Sequence, residues 1–318
     1  MFYLAIIPVI VILVFIYVRD KKEKEPMGLL IGLFFAGMGT VISAIILEGI
    51  GEAIMDLIFS RNSPVKTFFL CMIVIGPAEE LGKYTVLKLI TWKNKNFNYS
   101  YDAIVYAVFV SLGFAALENI GYVFSNGMFT AIMRMFTAIP GHASFAVFMG
   151  FFYSKAKYAD LTNNEADFQR YKFFAVAAPI LTHGLYDAII LSGTSSEKLL
   201  VAGSAVIIWI VYVIILFVMS IITIIYASRN DFCIAFYPNN VQAVYMPSMA
   251  GSWLCNCGME NNMNFCSRCG QMRPFSYDTW YCPVCGSPSG YNFCGRCGSP
   301  KPVAGPAPQN IQQGMPQI

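Results

Sequence analysis

Gly76-Pro77-Ala78-Glu79-Glu80-Leu81-Gly82-Lys83-Tyr84 stands in the middle of Thr67–Ile90, an apolar run long enough to cross a bilayer. An ionisable side chain at membrane depth costs about 2.5–3.5 kcal/mol even on lenient insertion scales. Two adjacent carboxylates and a lysine in one such run therefore need partners in a shared polar hollow. The rest of the chain offers them. Glu118 lies in the apolar run Ala103–Phe124, His142 in Phe129–Tyr153 and His183 in Phe173–Leu191, and these two are the only histidines in the sequence. Acids and imidazoles converging from separate apolar rods point to a site, and their combination suits hydrolysis.

Working outward, three further runs have the same character: Phe2–Val18, Met27–Ile50 and Leu199–Tyr226. The chain is 57% hydrophobic and 12% charged, where soluble domains carry about 25% charged residues. It reads as an all-α polytopic membrane protein of seven transmembrane helices, because backbone polar groups in lipid must be paired within the segment. A net charge of +3 is too small to argue for nucleic acid as a partner. The first run lacks a basic leader and a small-x-small cleavage site, so it reads as a retained span.

Alternate loops differ in positive charge. One set holds Arg19, Lys21, Lys22 and Lys24, then Lys88, Lys93 and Lys95, then Lys155, Lys157, Arg170 and Lys172, then Arg229. The other holds Arg61 and Lys66, then Arg134, then Lys198. The richer set reads as cytoplasmic, which puts the N-terminus outside.

After the spans, 1–227, the composition changes. Residues 228–252 read as a linker and 253–301 hold an internal repeat. Trp253-Leu-Cys255-Asn-Cys257-Gly leads to Asn264-Phe-Cys266-Ser-Arg-Cys269-Gly. Trp280-Tyr-Cys282-Pro-Val-Cys285-Gly leads to Asn292-Phe-Cys294-Gly-Arg-Cys297-Gly. Four thiolates in two knuckles suit a closed tetrahedral zinc site, so each copy is expected to hold one structural zinc. A reducing cytoplasm disfavours disulfides between them. The whole resembles a double zinc ribbon of the kind appended to many prokaryotic membrane proteins, whose expected role is binding a cytoplasmic protein partner. Residues 302–318, rich in Pro, Gln and Gly, read as a tail without fixed structure.

Around the central motif, Glu79 and Lys83 stand at i,i+4 on one helix face, with Glu80 turned about 100° away. One carboxylate is thus expected to pair with the lysine while the other stays poised as a base. Asn119 is placed to donate to a carbonyl or to hold Glu118, and Asp187 to orient His183 from behind. Arg134 is expected to snorkel to the interface.

The set Glu79-Glu80-x-x-Lys83, Phe114-x-x-x-Glu118-Asn119, His142 and His183-x-x-x-Asp187 resembles the PrsW family of intramembrane proteases, relatives of the CAAX prenyl endopeptidases, over roughly residues 1–227. The resemblance implies a multi-span peptidase of the prokaryotic plasma membrane. Its members cut single-span anti-sigma factors on the outer side, in regulated proteolysis. Glu79 and Glu80 would be the activating acids, Glu118 would join them, and His142 and His183 would complete the centre, supported by Lys83, Asn119 and Asp187. The CAAX relatives carry arginine and histidine where this chain has Lys83 and Glu118, so prenyl-cysteine substrates are not implied. Two histidines and a glutamate suit an open catalytic zinc. The same groups can also work without metal, one glutamate as base and the imidazoles as oxyanion donors. Both readings stand, the metal-free one slightly ahead.

Two other functions fit a bundle with buried acids: a proton-linked carrier and a membrane-tethered scaffold for the ribbons. Carriers of this size often show repeated halves, and the spans show none. A scaffold leaves the buried acids unexplained. The orientation is testable: a reporter fused after Ile318 is expected to be active only in its cytoplasmic form, and activity restricted to the outer side would overturn the topology.

Overall fold

The computed structural model describes residues 2–60, 63–194 and 198–234, with short pieces at 253–254, 259–261, 280–281, 288–289 and 300. The chain divides into two units, Met1–Val241 and Gln242–Ile318. The first unit is helical: α1 (Phe2–Arg19), α2 (Met27–Ile58), α3 (Pro64–Phe69), α4 (Gly76–Thr91), α5 (Asp102–Phe136), α6 (Ala138–Leu161), α7 (Glu165–Thr194) and α8 (Leu199–Arg229). Among the described residues four stretches are long and apolar enough to cross a membrane: Met27–Ile58, Asp102–Leu161, Glu165–Thr194 and Leu200–Arg229. The first expected span is a shorter apolar helix. The third is divided, because a π-helical turn, Leu70–Ile75, joins α3 to α4.

That turn has a chemical cause. Pro77 has no N–H for the carbonyl four residues back, and its ring crowds that carbonyl. The backbone widens just before it, so that Gly76 N–H bonds the Cys71 carbonyl five residues back. Such widened turns recur at functional sites. Here the turn precedes Glu79 and Glu80 directly.

α5 and α6 lie at the centre. The apolar window of that stretch is 83% buried, against 22% for α8. α5 packs on α6, α2, α1 and α4, and α7 packs on α6, α8 and α4. Apolar side chains such as Ile42, Ile45, Leu57, Ile207 and Ile214 remain outside, the place for lipid-facing groups. Helices in lipid gain little from hiding apolar surface and adhere through close approach of small residues. Gly76 and Gly184 make one such approach. A Cβ on Gly76 would stand 3.1 Å from the Gly184 nitrogen and the Ile180 carbonyl, and a Cβ on Gly184 would stand 3.1 Å from the Cys71 carbonyl. The π turn and α7 thus touch backbone to backbone, one residue from His183.

The fifth expected span, Phe129–Tyr153, is displaced. Gly127 adopts φ 80° and ψ −167° inside α5, residues 128–136 follow as a separate short rod, and α6 begins only at Ala138. Positive φ is where glycine alone is unstrained, so the break falls on Gly127. His142 consequently lies one turn inside the start of α6 rather than at mid-helix.

The end of α8 is tied back: Ser100 N–H bonds the Phe232 carbonyl (2.9 Å) and Ile234 N–H bonds the Asn98 carbonyl (2.7 Å). In the second unit two antiparallel pairings are described, Trp253–Leu254 with Glu260–Asn261 and Trp280–Tyr281 with Pro288–Ser289. They flank the first cysteine pair of each copy. The cysteines themselves (Cys255, Cys257, Cys266, Cys269, Cys282, Cys285, Cys294 and Cys297) and the tail lie outside the described residues.

The glycine contact yields a prediction. Gly184→Val forces a branched side chain against the Cys71 carbonyl and Met72, and overpacking of this sort costs about 1–3 kcal/mol. A lower thermal midpoint in detergent is expected, together with reduced activity. An unchanged midpoint would show that the approach is not needed.

Candidate active site

Lys83 is the hub. Its fully buried ammonium lies 3.0 Å from Glu79 Oε2, 2.8 Å from Glu80 Oε1 and 3.2 Å from His142 Nδ1, over the Phe114 ring at 4.0 Å. The expected division between one paired and one unpaired carboxylate is therefore corrected. Both carboxylates pair with Lys83, because i,i+3 and i,i+4 neighbours share a helix face.

His183 joins the acids from α7. Its Nδ1 is 2.9 Å from Glu80 Oε1 and 3.9 Å from Glu79 Oε2, and its Nε2 is 3.3 Å from Asp187 Oδ2. Phe145 stacks on the ring at 4.7 Å and 17°. Both ring nitrogens face carboxylate oxygens, so only a ring bearing both protons satisfies each contact. His142 faces different partners: the Lys83 ammonium at Nδ1 and Glu118 Oε2 at Nε2, 3.0 Å away. An ammonium can only donate and a carboxylate can only accept. The arrangement therefore selects the tautomer with its hydrogen on Nε2. The two imidazole centroids are 5.2 Å apart.

Arg134 corrects another expectation. It does not leave for the interface. Its Nη2 lies 2.6 Å from Glu118 Oε2 and its Nε donates to Asn119 Oδ1 at 2.8 Å. The break at Gly127 returns the 128–136 rod toward Glu118 and makes this possible. Asn119 thus holds Arg134 rather than Glu118, and its own amide nitrogen finds no partner.

These groups surround a cavity of about 260 Å³ lined by Glu79, Glu118, His142, His183, Arg134 and Asp187, among others. Glu80 is not in its wall, and its side chain is 0% exposed against 19% for Glu118. Glu48 and Trp209 are among the wall residues that escaped the sequence reading. Glu48, a lone carboxylate in the second apolar run, carried the same signal as Glu79 and could have been found by it. Trp209 of α8 carried none; its buried Nε1 has no partner.

Glu79, Glu80, His142 and His183 each present a ligand atom, all within 4.8 Å of one another. The donor set fits zinc in kind, and the buried Glu80 Oε2 accepts no hydrogen bond. Charge points the same way. Among the described residues the carboxylates of Glu79, Glu80, Glu118 and Asp187 meet only Lys83 and Arg134 as permanent cations. An added positive charge is accommodated here without a new anion.

The family model described as PrsW family intramembrane metalloprotease matches residues 25–220. The chain is 34% identical over 221 residues to Protease PrsW of Clostridioides difficile (strain 630), covering 68% of this chain and 86% of that protein. It is 33% identical over 191 residues to Protease PrsW of Geobacillus kaustophilus (strain HTA426), covering 59% and 78%. For Protease PrsW of Bacillus subtilis (strain 168) the figures are 32% over 188 residues, covering 58% and 80%. No solved structure matches.

Arg134 acts through Glu118 and His142, so Arg134→Met is expected to lower proteolysis about 10–100-fold, the range seen when a group that orients a ligand is removed. Arg134→Lys should recover part of the loss. Initial rates on a membrane substrate check this, and a full rate in Arg134→Met would exclude the role.

Proposed function

The chain belongs to the PrsW family of intramembrane metalloproteases, and from that premise we propose how its centre cuts, on which side and in what substrates. It is a membrane-integral peptidase, and the carrier and scaffold readings are not favoured. The observation that carries the proposal is the meeting of Glu79, Glu80, His142 and His183, whose ligand atoms lie within 4.8 Å of one another beside the cavity.

Glu79 is the proton acceptor. It borders the cavity, whereas Glu80 is sealed behind it. Glu80 fixes Lys83 and His183 in place. His183, held between Glu80 and Asp187, and His142, held between Lys83 and Glu118, exchange their present carboxylate contacts for the oxygen of the tetrahedral intermediate and the leaving amine when substrate enters, and donate to them. Zinc, when held by Glu80, His142 and His183 with Glu79 left as the base, would polarise the scissile carbonyl and bring the pKa of its water down to about 7. Lys83 keeps the acids close in the absence of a second cation.

The bundle crosses the membrane seven times with its N-terminus outside. The α3 start, the α5–α6 junction and the α7–α8 turn then all lie at the outer end. His142 is one turn from that end, so the cut falls in the outer part of a single-span, anti-sigma-factor-like protein. The eight cysteines of the second unit bind two structural zinc ions and present a cytoplasmic surface for a protein partner.

Glu79→Gln, Glu80→Gln and His183→Ala are each expected to abolish cleavage of a single-span substrate in liposomes while insertion is retained. The double variant His142→Ala, His183→Ala should carry one zinc equivalent fewer than the parent chain, with ribbon zinc intact. Full activity in the single variants would remove the catalytic assignment. Equal zinc in the double variant would remove the metal from the mechanism and leave the glutamate route.

A further inference from the structure

Asp20, Glu25 and Asp102 form a second acidic cluster. Asp102 opens α5, about 24 Å along that helix from Glu118 at roughly 1.5 Å per residue, so this cluster is separate from the hydrolytic centre. The three residues are 0%, 3% and 0% exposed. One oxygen of each lies within 4.8 Å of the others.

Their hydrogen bonds are incomplete. Glu25 accepts from the Tyr106 hydroxyl. Asp102 Oδ2 accepts from the N–H groups of Asn98 (3.0 Å) and Tyr99 (2.7 Å), while its Oδ1 accepts nothing. Both oxygens of Asp20 are buried without a hydrogen bond of normal geometry, the Lys22 N–H being the donor that faces them, and the fully buried Tyr101 hydroxyl beside the cluster has no partner. Lys24, beside Glu25 in the chain, gives its ammonium to the Tyr17 and Asp20 carbonyls. Among the described residues no lysine or arginine nitrogen pairs with any of the three carboxylates. A buried carboxylate without a donor is among the most unfavourable groups a fold can hold, and three facing one another add repulsion.

The donors are all oxygens, with no histidine or cysteine, which selects hard cations. Two oxygens on opposite sides of one Ca²⁺ stand up to about 5 Å apart, given bonds of about 2.3–2.6 Å. The observed spacing fits a single ion between the three. We propose that Asp20, Glu25 and Asp102 bind one hard divalent cation of the Mg²⁺ or Ca²⁺ kind, which staples the α1–α2 turn to the start of α5. The same corner holds the exit of α8, since Asp231 accepts from Ser100 and from Tyr101 N–H, each at 2.9 Å. The cation therefore stabilises the place where the chain leaves the helical unit.

Terbium luminescence sensitised by tyrosine tests the site, because Tyr101 and Tyr106 adjoin it. The full-length protein in detergent should show saturable Tb³⁺ emission that Ca²⁺ or Mg²⁺ displaces. Asp20→Asn and Glu25→Gln should each weaken Tb³⁺ binding at least tenfold, and Glu79→Gln should leave it unchanged. Absence of saturable emission overturns the proposal, as does emission that both substitutions leave intact or that Glu79→Gln removes. Thermal melts of the two variants establish folding. If both fail to fold, the parent decides: a midpoint raised by Mg²⁺ or Ca²⁺ together with displaceable emission sustains the site, and its absence ends it.

Discussion

One ammonium group, that of Lys83, organises the membrane-embedded half of this protein. It is fully buried and sits between two carboxylates of its own helix and an imidazole of α6. In an apolar interior such a set is stable only when complete, since removing one member of a buried pair leaves an uncompensated charge worth about 3–5 kcal/mol. The relative placement of α4 and α6 follows from that requirement. Through Glu80 and His183 it extends to α7. A less polar core would pack as well in lipid, but nothing in it would specify which helix faces stand opposite each other.

Backbone irregularity is what lets the polar set close. The π turn at Leu70–Ile75 absorbs Pro77 and sets the rotation of α4, so that both glutamates face inward. Gly76 and Gly184 remove the side chains that would hold α7 away. Gly127 breaks α5 and returns Arg134 to Glu118. Each departure from regular helix sits beside a site residue. A straight α5 would carry Arg134 onward instead of back, and Glu118 would then hold His142 without a fixed position of its own.

Much of this was legible in the sequence because charge inside an apolar run is a loud signal. Glu79, Glu80, Lys83, Glu118, His142 and His183 could be named from hydropathy alone, and the structure brings their side chains together. The role of Arg134 was not legible. A basic residue near the end of an apolar run has a cheap alternative, reaching for the interface, and only the positive φ of Gly127 removes it. The start of the fifth span was misplaced for the same reason: residues 128–136 are apolar enough to belong to either rod, and hydropathy carries no information about φ. The sharing of Lys83 by both glutamates escaped because a long flexible side chain reaches two neighbours that a helical wheel sets apart. Trp209 could not have been found, since one more apolar residue in α8 differs from its neighbours only by what it packs against.

The two ends of α5 show how the same physics is resolved differently. Near Glu118 the acids pair with Lys83 and Arg134 and border a cavity, so protein cations offset part of their charge. At Asp102 the acids are sealed, and among the described residues no lysine or arginine nitrogen pairs with them. Sequence patterning separates the two only weakly, because Asp20 and Glu25 fall in a charged loop where carboxylates are ordinarily solvated. It is the return of the chain after α8, through Asp231 and Phe232 onto Ser100 and Tyr101, that helps close that corner. Burial therefore turns an unremarkable loop into a concentration of carboxyl groups withdrawn from water, whereas the centre at the other end of α5 was declared by its residues before any folding was considered.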